Sequence, residues 1–233
     1  MRSTLAGRER SVPIAFALII GVIAALLAFT TQGASAYSGA LGHDHDLGPV
    51  GLPNAARVAF HDQMRKLWED HVTWTRLAIV EFAAADPGLT PTVTRLLQNQ
   101  TDIGNAIAPF YGASAGQELT TLLDTHINLA VALLQDAKAG NTTAFAADKA
   151  SWYDNANQIA DFLSAANPRF WPEDVMRAFM KEHLDQTLAE AEDELGGNYT
   201  ASINDYEAIH LHILALADLL SSGIMRQFPN RFA

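Results

Sequence analysis

The sequence predicts an all-α fold, a helical bundle of six helices arranged as three repeated helical hairpins. Beyond residue 54, apolar residues recur every three or four positions, and no stretch alternates convincingly with a period of two, so helices are favoured over strands. Short loops separate the periodic stretches, and short connections make successive helices antiparallel neighbours. Histidines recur at positions 71, 126 and 183, a spacing that fits one helical hairpin per repeat.

Helix-breaking and capping residues define the ends of these helices. The six predicted helices cover residues 55–85, 91–111, 114–139, 142–166, 172–195 and 200–226. The first helix stops before Pro87-Gly88. The second begins at Pro91 with Thr90 as its N-cap, because proline fits the first turn of a helix. The second helix ends near Gly112 and the third ends at Gly140, since glycine accommodates the left-handed conformation that often terminates a helix.

The last three helices are delimited by the same kinds of signal. The pair Asn141-Thr142 offers an N-cap for the fourth helix, which runs up to Asn167-Pro168. The fifth helix begins at Pro172 with two acidic residues in its first turn, where the helix dipole favours negative charge. It ends at Gly196-Gly197, and the sixth helix ends before Phe228-Pro229.

The first 54 residues are predicted to lie outside the bundle. Residues 1–36 have the pattern of a secretory signal peptide, with three arginines, an apolar run over 14–29 and Ala34-Ser35-Ala36 at the cleavage positions. An uncleaved N-terminal membrane anchor is the alternative, because the run approaches the length of a spanning helix. Residues 37–54 are a predicted flexible leader, and 55–233 form the bundle domain. The predicted location is therefore extracytoplasmic, either secreted, periplasmic or at the cell surface, with membrane tethering as the variant.

Charge and cysteine content limit the classes of function. Beyond residue 36 the chain has 12 basic and 25 acidic residues, a net charge of −13. Such a chain repels polyanions, so nucleic acid is not expected as a partner, and it attracts cations. The sequence contains no cysteine, so nitrogen and oxygen atoms must hold any bound metal. It also lacks the P-loop motif of common phosphate sites.

Each predicted hairpin carries two polar residues on the apolar faces of its helices. In chain order they are His71, Asn99, His126, Asn155, His183 and His212. Counting residues from the connecting loop places His126 level with Asn155. The same count places His183 nearly level with His212. In the first hairpin the two positions match poorly, so it is the weakest member of the set.

Two main interpretations of these inward residues remain open. In the first, the four histidines of the set bind a transition-metal ion, zinc, copper or iron, for sensing, storage or delivery. Asn99 and Asn155 would then be supporting polar groups, as would the adjacent acids Asp70 and Glu182. In the second, the residues form a buried hydrogen-bond layer that fixes helix register in a non-enzymatic structural or interaction module. The cost of an unpartnered buried imidazole or amide, about 1–3 kcal/mol, motivates both interpretations. A metal-dependent oxidase and a small-molecule or haem pocket are further alternatives.

Two other histidine motifs are weaker candidates for a metal site. A carboxylate-bridged di-iron centre requires two Glu-x-x-His motifs, and only Glu207-Ala-Ile-His210 fits. His210 lies on a different helix face from His212, so we expect it at the surface or between helices. In the leader, His43 and His45 alternate with aspartates and form a candidate auxiliary metal cluster, with a solvated linker as the alternative.

Three segments in the second half of the domain share a pattern with known proteins. They are Asp124-Thr-His126-Ile127, Tyr206-x5-His212-Ile213-x3-Ala217-Asp218 and Gly223-Ile224-x2-Gln227-Phe228-Pro229. On these segments the chain resembles a bacterial family of small all-helical, histidine-bearing proteins, exported or soluble, over roughly residues 60–232. The resemblance implies one helical domain and brings no catalytic residues, so enzymatic activity stays an open question.

Overall fold

The computed structural model describes residues 54–233, and this range contains six α-helices, a short C-terminal 3-10 helix and no strand. The helices are α1 (Ala55–Ala84), α2 (Leu89–Tyr111), α3 (Ala113–Ala139), α4 (Thr142–Ala166), α5 (Glu173–Leu195) and α6 (Tyr199–Gln227), and the 3-10 helix covers Pro229–Phe232. The prediction of an all-α bundle of six helices is confirmed. The predicted signal segment, the leader up to residue 53 and its His43 and His45 lie outside the described residues.

Local capping explains most of the helix ends. The Asn54 side-chain oxygen accepts hydrogen bonds from the first backbone N–H groups of α1, at 2.9 and 3.3 Å. Of the two residues predicted as candidate N-caps of α4, Asn141 is the N-cap in the structure. The predicted N-cap of α2 is wrong, because α2 begins at Leu89 and Thr90 is already helical. Pro91 is then the third residue of α2, where the missing N–H costs little because first-turn N–H groups have no intrahelical acceptor.

The six helices form a closed ring around one apolar core. Each helix packs against the next helix in the chain, and α6 packs back against α1. Packing is not limited to the predicted hairpins, because α2 also packs against α3 and α4 against α5. The bundle is therefore continuous around the ring. Helices α1 and α5 also touch across it, and most of the buried apolar side chains form one cluster to which all six helices contribute.

Helices α2 and α3 approach each other closely at two glycines. A Cβ atom on Gly104 would lie 2.5 Å from the carbonyl oxygen of Gly116, and one on Gly116 would lie 2.7 Å from the carbonyl oxygen of Gly104. Both contacts are with backbone atoms, which cannot move aside as a flexible side chain can. Glycine at these positions therefore permits the backbones of α2 and α3 to touch.

The two ends of the described chain meet at one end of the ring. The Asn54 side-chain amide donates a hydrogen bond of 2.7 Å to the carbonyl oxygen of Phe232. Beside this bond, the Phe60 ring lies 5.1 Å from the Phe110 ring and 5.2 Å from the Phe232 ring. The C-terminal 3-10 helix thus fastens the start of α1 to the end of α6 and completes the ring.

Helix α6 is long and apolar enough to cross a membrane by length and composition alone, with a mean hydropathy of 1.5 over its most apolar window. In the fold it packs against α1 and α5, and 44% of that window is buried. The apolar character of α6 is therefore accounted for in part by its place in the core.

Candidate functional site

Three of the four predicted histidine ligands meet in the core of the ring. His71 on α1, His126 on α3 and His183 on α5 are 3–4% exposed. The centroid of the His183 ring lies 5.7 Å from that of His71 and 6.3 Å from that of His126. Alternate helices of the ring therefore each contribute one imidazole to a common cluster.

His212 lies beside this cluster, and its ring is bonded elsewhere. Its Nε2 donates a hydrogen bond of 3.0 Å to the carbonyl oxygen of Phe179, and its ring packs 5.0 Å from the Phe179 ring. Its Nδ1 is 3.9 Å from a carboxylate oxygen of the exposed Glu182. The structure thus brings together three of the four histidines, and His212 contacts the backbone of the helix that carries His183.

The second polar residue of each predicted hairpin makes the same type of hydrogen bond. The three bonds are Asn99 Nδ2 to Leu67 O at 3.0 Å, Asn155 Nδ2 to Leu122 O at 3.2 Å and His212 Nε2 to Phe179 O at 3.0 Å. In every case the accepting carbonyl belongs to the residue four positions before the core histidine. Each bond therefore joins an even-numbered helix to the turn that precedes a histidine, and so fixes the depth of that histidine.

The hydrogen bonds of Asn155 determine which His126 nitrogen carries the proton. The Asn155 amide nitrogen donates to the Leu122 carbonyl, so its oxygen faces His126 Nδ1 at 2.9 Å. An amide oxygen only accepts, and Nδ1 must therefore be the donor. The lone pair of the neutral ring is left on Nε2. This nitrogen is buried and has no hydrogen-bond partner among the described residues.

His71 has a different neighbour from the predicted one. Gln100 donates from Nε2 to His71 Nδ1 at 3.3 Å, and the same nitrogen donates to the Leu96 carbonyl at 2.8 Å. His71 Nδ1 is therefore an acceptor. Gln100 lies 29 residues after His71, the same separation as between His126 and Asn155. The sequence analysis missed Gln100, although it continues the apolar stripe of α2 four residues after Leu96.

Burial keeps all three imidazoles neutral. It lowers the pKa of His71 to about 3 and the pKa of His126 to about 4. Burial also holds the pKa of His183 well below its usual value, and the neighbouring imidazoles lower it further. A neutral imidazole is the form that binds metal ions, so the cluster is in its ligating protonation state at neutral pH.

Several polar atoms around the cluster are buried without a partner among the described residues. They are His126 Nε2, His183 Nδ1, Gln100 Oε1, Trp68 Nε1 and Trp152 Nε1. The Trp68 ring lies 5.9 Å from His71, and the Trp152 ring lies 5.3 Å from His126. Each unsatisfied group costs about 1–3 kcal/mol. The protein side chains therefore do not satisfy this layer by themselves.

The predicted supporting acids do not reach the core imidazoles. Asp70 accepts from Lys66 at 2.6 Å and from Arg95 at 3.4 Å, so its carboxylate faces cations at the surface. His210 bonds Glu69 of α1 at 3.0 Å and lies between α1 and α6, as expected.

A buried ionic network two turns beyond His183 was missed in the sequence. Arg76 on α1 donates to Glu190 and to Glu194 on α5, both at 3.1 Å, and to Ser202 on α6. Burial raises the pKa of Glu190 to about 7, although Arg76 opposes this shift. Glu190 lies seven residues after His183, so its helical spacing could have placed it on the inner face of α5.

The three core imidazoles are not arranged as the coordination sphere of a metal ion. Among residues 54–233, no three His, Asp or Glu side chains are positioned to hold an ion as they stand. Two nitrogens bound to one zinc ion lie about 3.3 Å apart, given Zn–N distances of about 2.0–2.1 Å. Metal binding would therefore require side-chain rotation within the cluster.

Fold and site together define a class of protein, an all-α ring of six helices that buries three neutral imidazoles at its centre. No protein-family model matches the chain, and neither does any curated protein or any solved structure. The function therefore has to be inferred from the residues of the site.

Proposed function

We propose that the protein binds one transition-metal ion, zinc, copper or iron, through His71, His126 and His183, for sensing, storage or delivery. The observation that supports this proposal is the pair of buried imidazole nitrogens, His126 Nε2 and His183 Nδ1, that have no partner among the described residues. Imidazole nitrogens of neutral rings are ligands for all three metals. A shared ion would satisfy both nitrogens at once, which the protein side chains around them do not.

The hydrogen bonds around the cluster suit this role at His126, whereas the Nδ1 lone pair of His71 already accepts from Gln100 and would have to be released for metal binding. A metal-binding histidine is usually held through its other ring nitrogen by a polar group. Asn155 holds His126 in this way and leaves Nε2 free to bind. No side-chain hydrogen bond within residues 54–233 fixes the His183 ring, so this ring is the one that can rotate to complete the site.

We also infer that the three hairpins are copies of one unit. The three equivalent side-chain to carbonyl bonds support this inference, because each reaches the residue four positions before a core histidine. In the first hairpin, Asn99 contacts the backbone carbonyl and Gln100 contacts the histidine ring, whereas Asn155 alone makes both contacts in the second.

The charge of the chain and its proposed signal segment support cation binding outside the cytoplasm. The net charge of −13 beyond residue 36 attracts cations to the protein surface. The proposed signal segment would place the domain in an extracytoplasmic compartment, where the absence of cysteine leaves nitrogen and oxygen as the ligands.

Metal analysis of the protein purified without an affinity tag tests the proposal. We expect about one equivalent of bound metal after loading with zinc or copper, and a higher melting temperature because the ion binds only the folded state. His126→Leu and His183→Leu keep the side-chain volume and should each abolish binding. His210→Leu, which changes a histidine between α1 and α6, should retain it.

A different result would favour the structural alternative. Less than about 0.2 equivalents of any metal, with no change in melting on adding zinc or copper, would mean that no ion stabilises the fold. The imidazoles and amides would then serve only to fix helix register.

A further inference from the structure

We propose that the buried network around Arg76 is a pH-sensitive switch, in which Glu190 keeps a proton on the acidic side of neutrality and loses it on the alkaline side. Loss of this proton weakens the junction of α1 with α5 and α6. The inference goes beyond the proposed function, because the network lies outside the imidazole cluster and no metal ion takes part in it.

The network buries more negative charge than positive charge. The side chains of Glu190 and Glu194 are 2% and 7% exposed, and that of Arg76 is 17% exposed. One guanidinium therefore serves two carboxyl groups, and with both of them ionised one negative charge has no partner. Burying an uncompensated charge is strongly unfavourable, and a buried carboxyl group avoids it by binding a proton.

The hydrogen bonds indicate which carboxyl group takes the proton. Glu194 accepts two of them, one from Arg76 at 3.1 Å and one from the Ser202 hydroxyl at 2.8 Å. Within residues 54–233, Glu190 accepts one side-chain hydrogen bond, from Arg76 at 3.1 Å. Each donated bond stabilises the ionised form of a carboxyl group, so Glu190 is the less stabilised of the two anions.

The charges closest to Glu190 support the same assignment. Burial is the largest effect, and the negative charges of Asp205 on α6 and Glu194 on α5 act in the same direction. Arg76 on α1 opposes them, and the pKa of Glu190 is still raised to about 7. Glu190 therefore exchanges its proton near neutral pH.

The other titratable groups packed beside this part of α5 are acids or face acids. On α6, Asp205 faces Asp193 of α5, and burial together with this contact raises the pKa of Asp205. On α4, Tyr153 donates a hydrogen bond of 2.6 Å to Asp185 of α5. None of these groups can compensate the negative charge of Glu190.

Ionisation of Glu190 should weaken the fold. Glu190 and Glu194 lie one helical turn apart on α5, so two ionised carboxylates repel each other around a single guanidinium. In the unfolded chain a glutamate loses its proton near pH 4.3. Between that pH and about pH 7 the folded state therefore binds one more proton than the unfolded state, and this contribution to stability is lost as the pH rises.

Urea unfolding of the wild type and of Glu190→Gln between pH 5 and pH 8 tests the inference. Glutamine keeps the shape of the side chain and can still accept from Arg76, but it has no proton to lose. From pH 5 to pH 7 the unfolding equilibrium constant of the wild type, relative to that of the variant, should rise by up to about tenfold per pH unit. The buried histidines are common to both proteins and cancel. Glu192→Gln, which changes an exposed acid of α5, should keep the wild-type profile.

Parallel pH profiles of the wild type and Glu190→Gln would overturn the inference. Carbon-13 NMR of the glutamate carboxyl groups in the wild-type protein gives a second test that needs no variant. We expect one glutamate to titrate with a midpoint near pH 7. Titration of every glutamate below about pH 5.5, as in solvated side chains, would show that the network holds no proton at neutral pH. Both measurements are made on the metal-free protein, so their outcome is independent of the proposed metal site.

Discussion

At the scale of single residues, Asn155 controls the chemistry of the cluster. Its amide nitrogen donates to a backbone carbonyl, so its oxygen accepts a hydrogen bond from His126 Nδ1. The ring is therefore oriented and its free lone pair is directed away from Asn155. Gln100 acts on His71 with the opposite polarity, since it donates to Nδ1. Neighbouring amides thus place the proton on Nδ1 of His126 and on Nε2 of His71.

The neutral imidazoles make the stability of the metal-free protein depend on pH. In the unfolded chain a histidine takes up a proton below about pH 6.5. In the folded protein, burial lowers the pKa of His71 to about 3 and that of His126 to about 4, and it holds the pKa of His183 well below its usual value. The unfolded state therefore binds more protons in this range, so stability is complete above pH 6.5 and declines as the pH falls towards 4.

Urea unfolding of the wild type and of His183→Leu between pH 7 and pH 4.5 measures this contribution. Below pH 6.5 the stability of the wild type should fall more steeply than that of the variant, by about 1.4 kcal/mol per pH unit, the linkage of one proton. Glu190, with its raised pKa, contributes equally to both proteins and cancels in the difference. Parallel pH profiles would show that His183 is protonated as easily in the folded state as in the unfolded one.

At the scale of helices, the network around Arg76 joins the first helix to the last two helices of the chain. Arg76 lies on α1, Glu190 and Glu194 on α5, and Ser202 on α6. Both carboxylates are buried, and one guanidinium serves both of them. The network therefore connects α1 and α5 across the ring where these helices touch.

Removal of the arginine should be strongly destabilising. Arg76→Met would leave two buried carboxylates without their cation, which typically costs about 3–5 kcal/mol. Chemical denaturation should show this loss as a lower urea midpoint. Arg177→Met breaks the exposed bidentate pair with Asp161 and should leave the midpoint nearly unchanged. Equal effects of the two substitutions would mean that the Arg76 network is as solvated as a surface pair.

At the scale of the whole molecule, local signals in the sequence predict the helices and one of the internal contacts. Proline, glycine and apolar periodicity predict six helices, and counting residues from Gly140 pairs His126 with Asn155. Closure of the ring is not local, because it depends on the packing of α6 against α1. The Arg76 network depends on the same long-range packing, so helical spacing can place Glu190 on the inner face of α5 but does not identify Arg76 as its partner.

The details of the site depend on choices that periodicity does not resolve. Asn99 and Gln100 are adjacent, and both are fully buried, so only packing determines which of them contacts His71. His212 lies on the predicted helix face, but its ring bonds a backbone carbonyl. Periodicity predicts the face on which a residue lies and does not predict the rotamer of its side chain. The prediction of Thr90 as the N-cap is wrong because proline is accepted at any position of the first helical turn, so Pro91 does not fix the first residue of α2.

The bond between Asn54 and Phe232 implies that the order of the helices along the chain can be changed. Because the two ends of the described domain touch, a short Gly/Ser linker can join them, and new ends can be opened in the exposed loop at Gly140-Asn141. We expect this circular permutant of residues 54–233 to keep its helical circular dichroism and a cooperative melting transition. A permutant opened inside α3, between His126 and Ile127, should not fold. A ring closed in this way has no obligatory first helix, and loss of structure in the loop permutant would show instead that assembly must begin at α1.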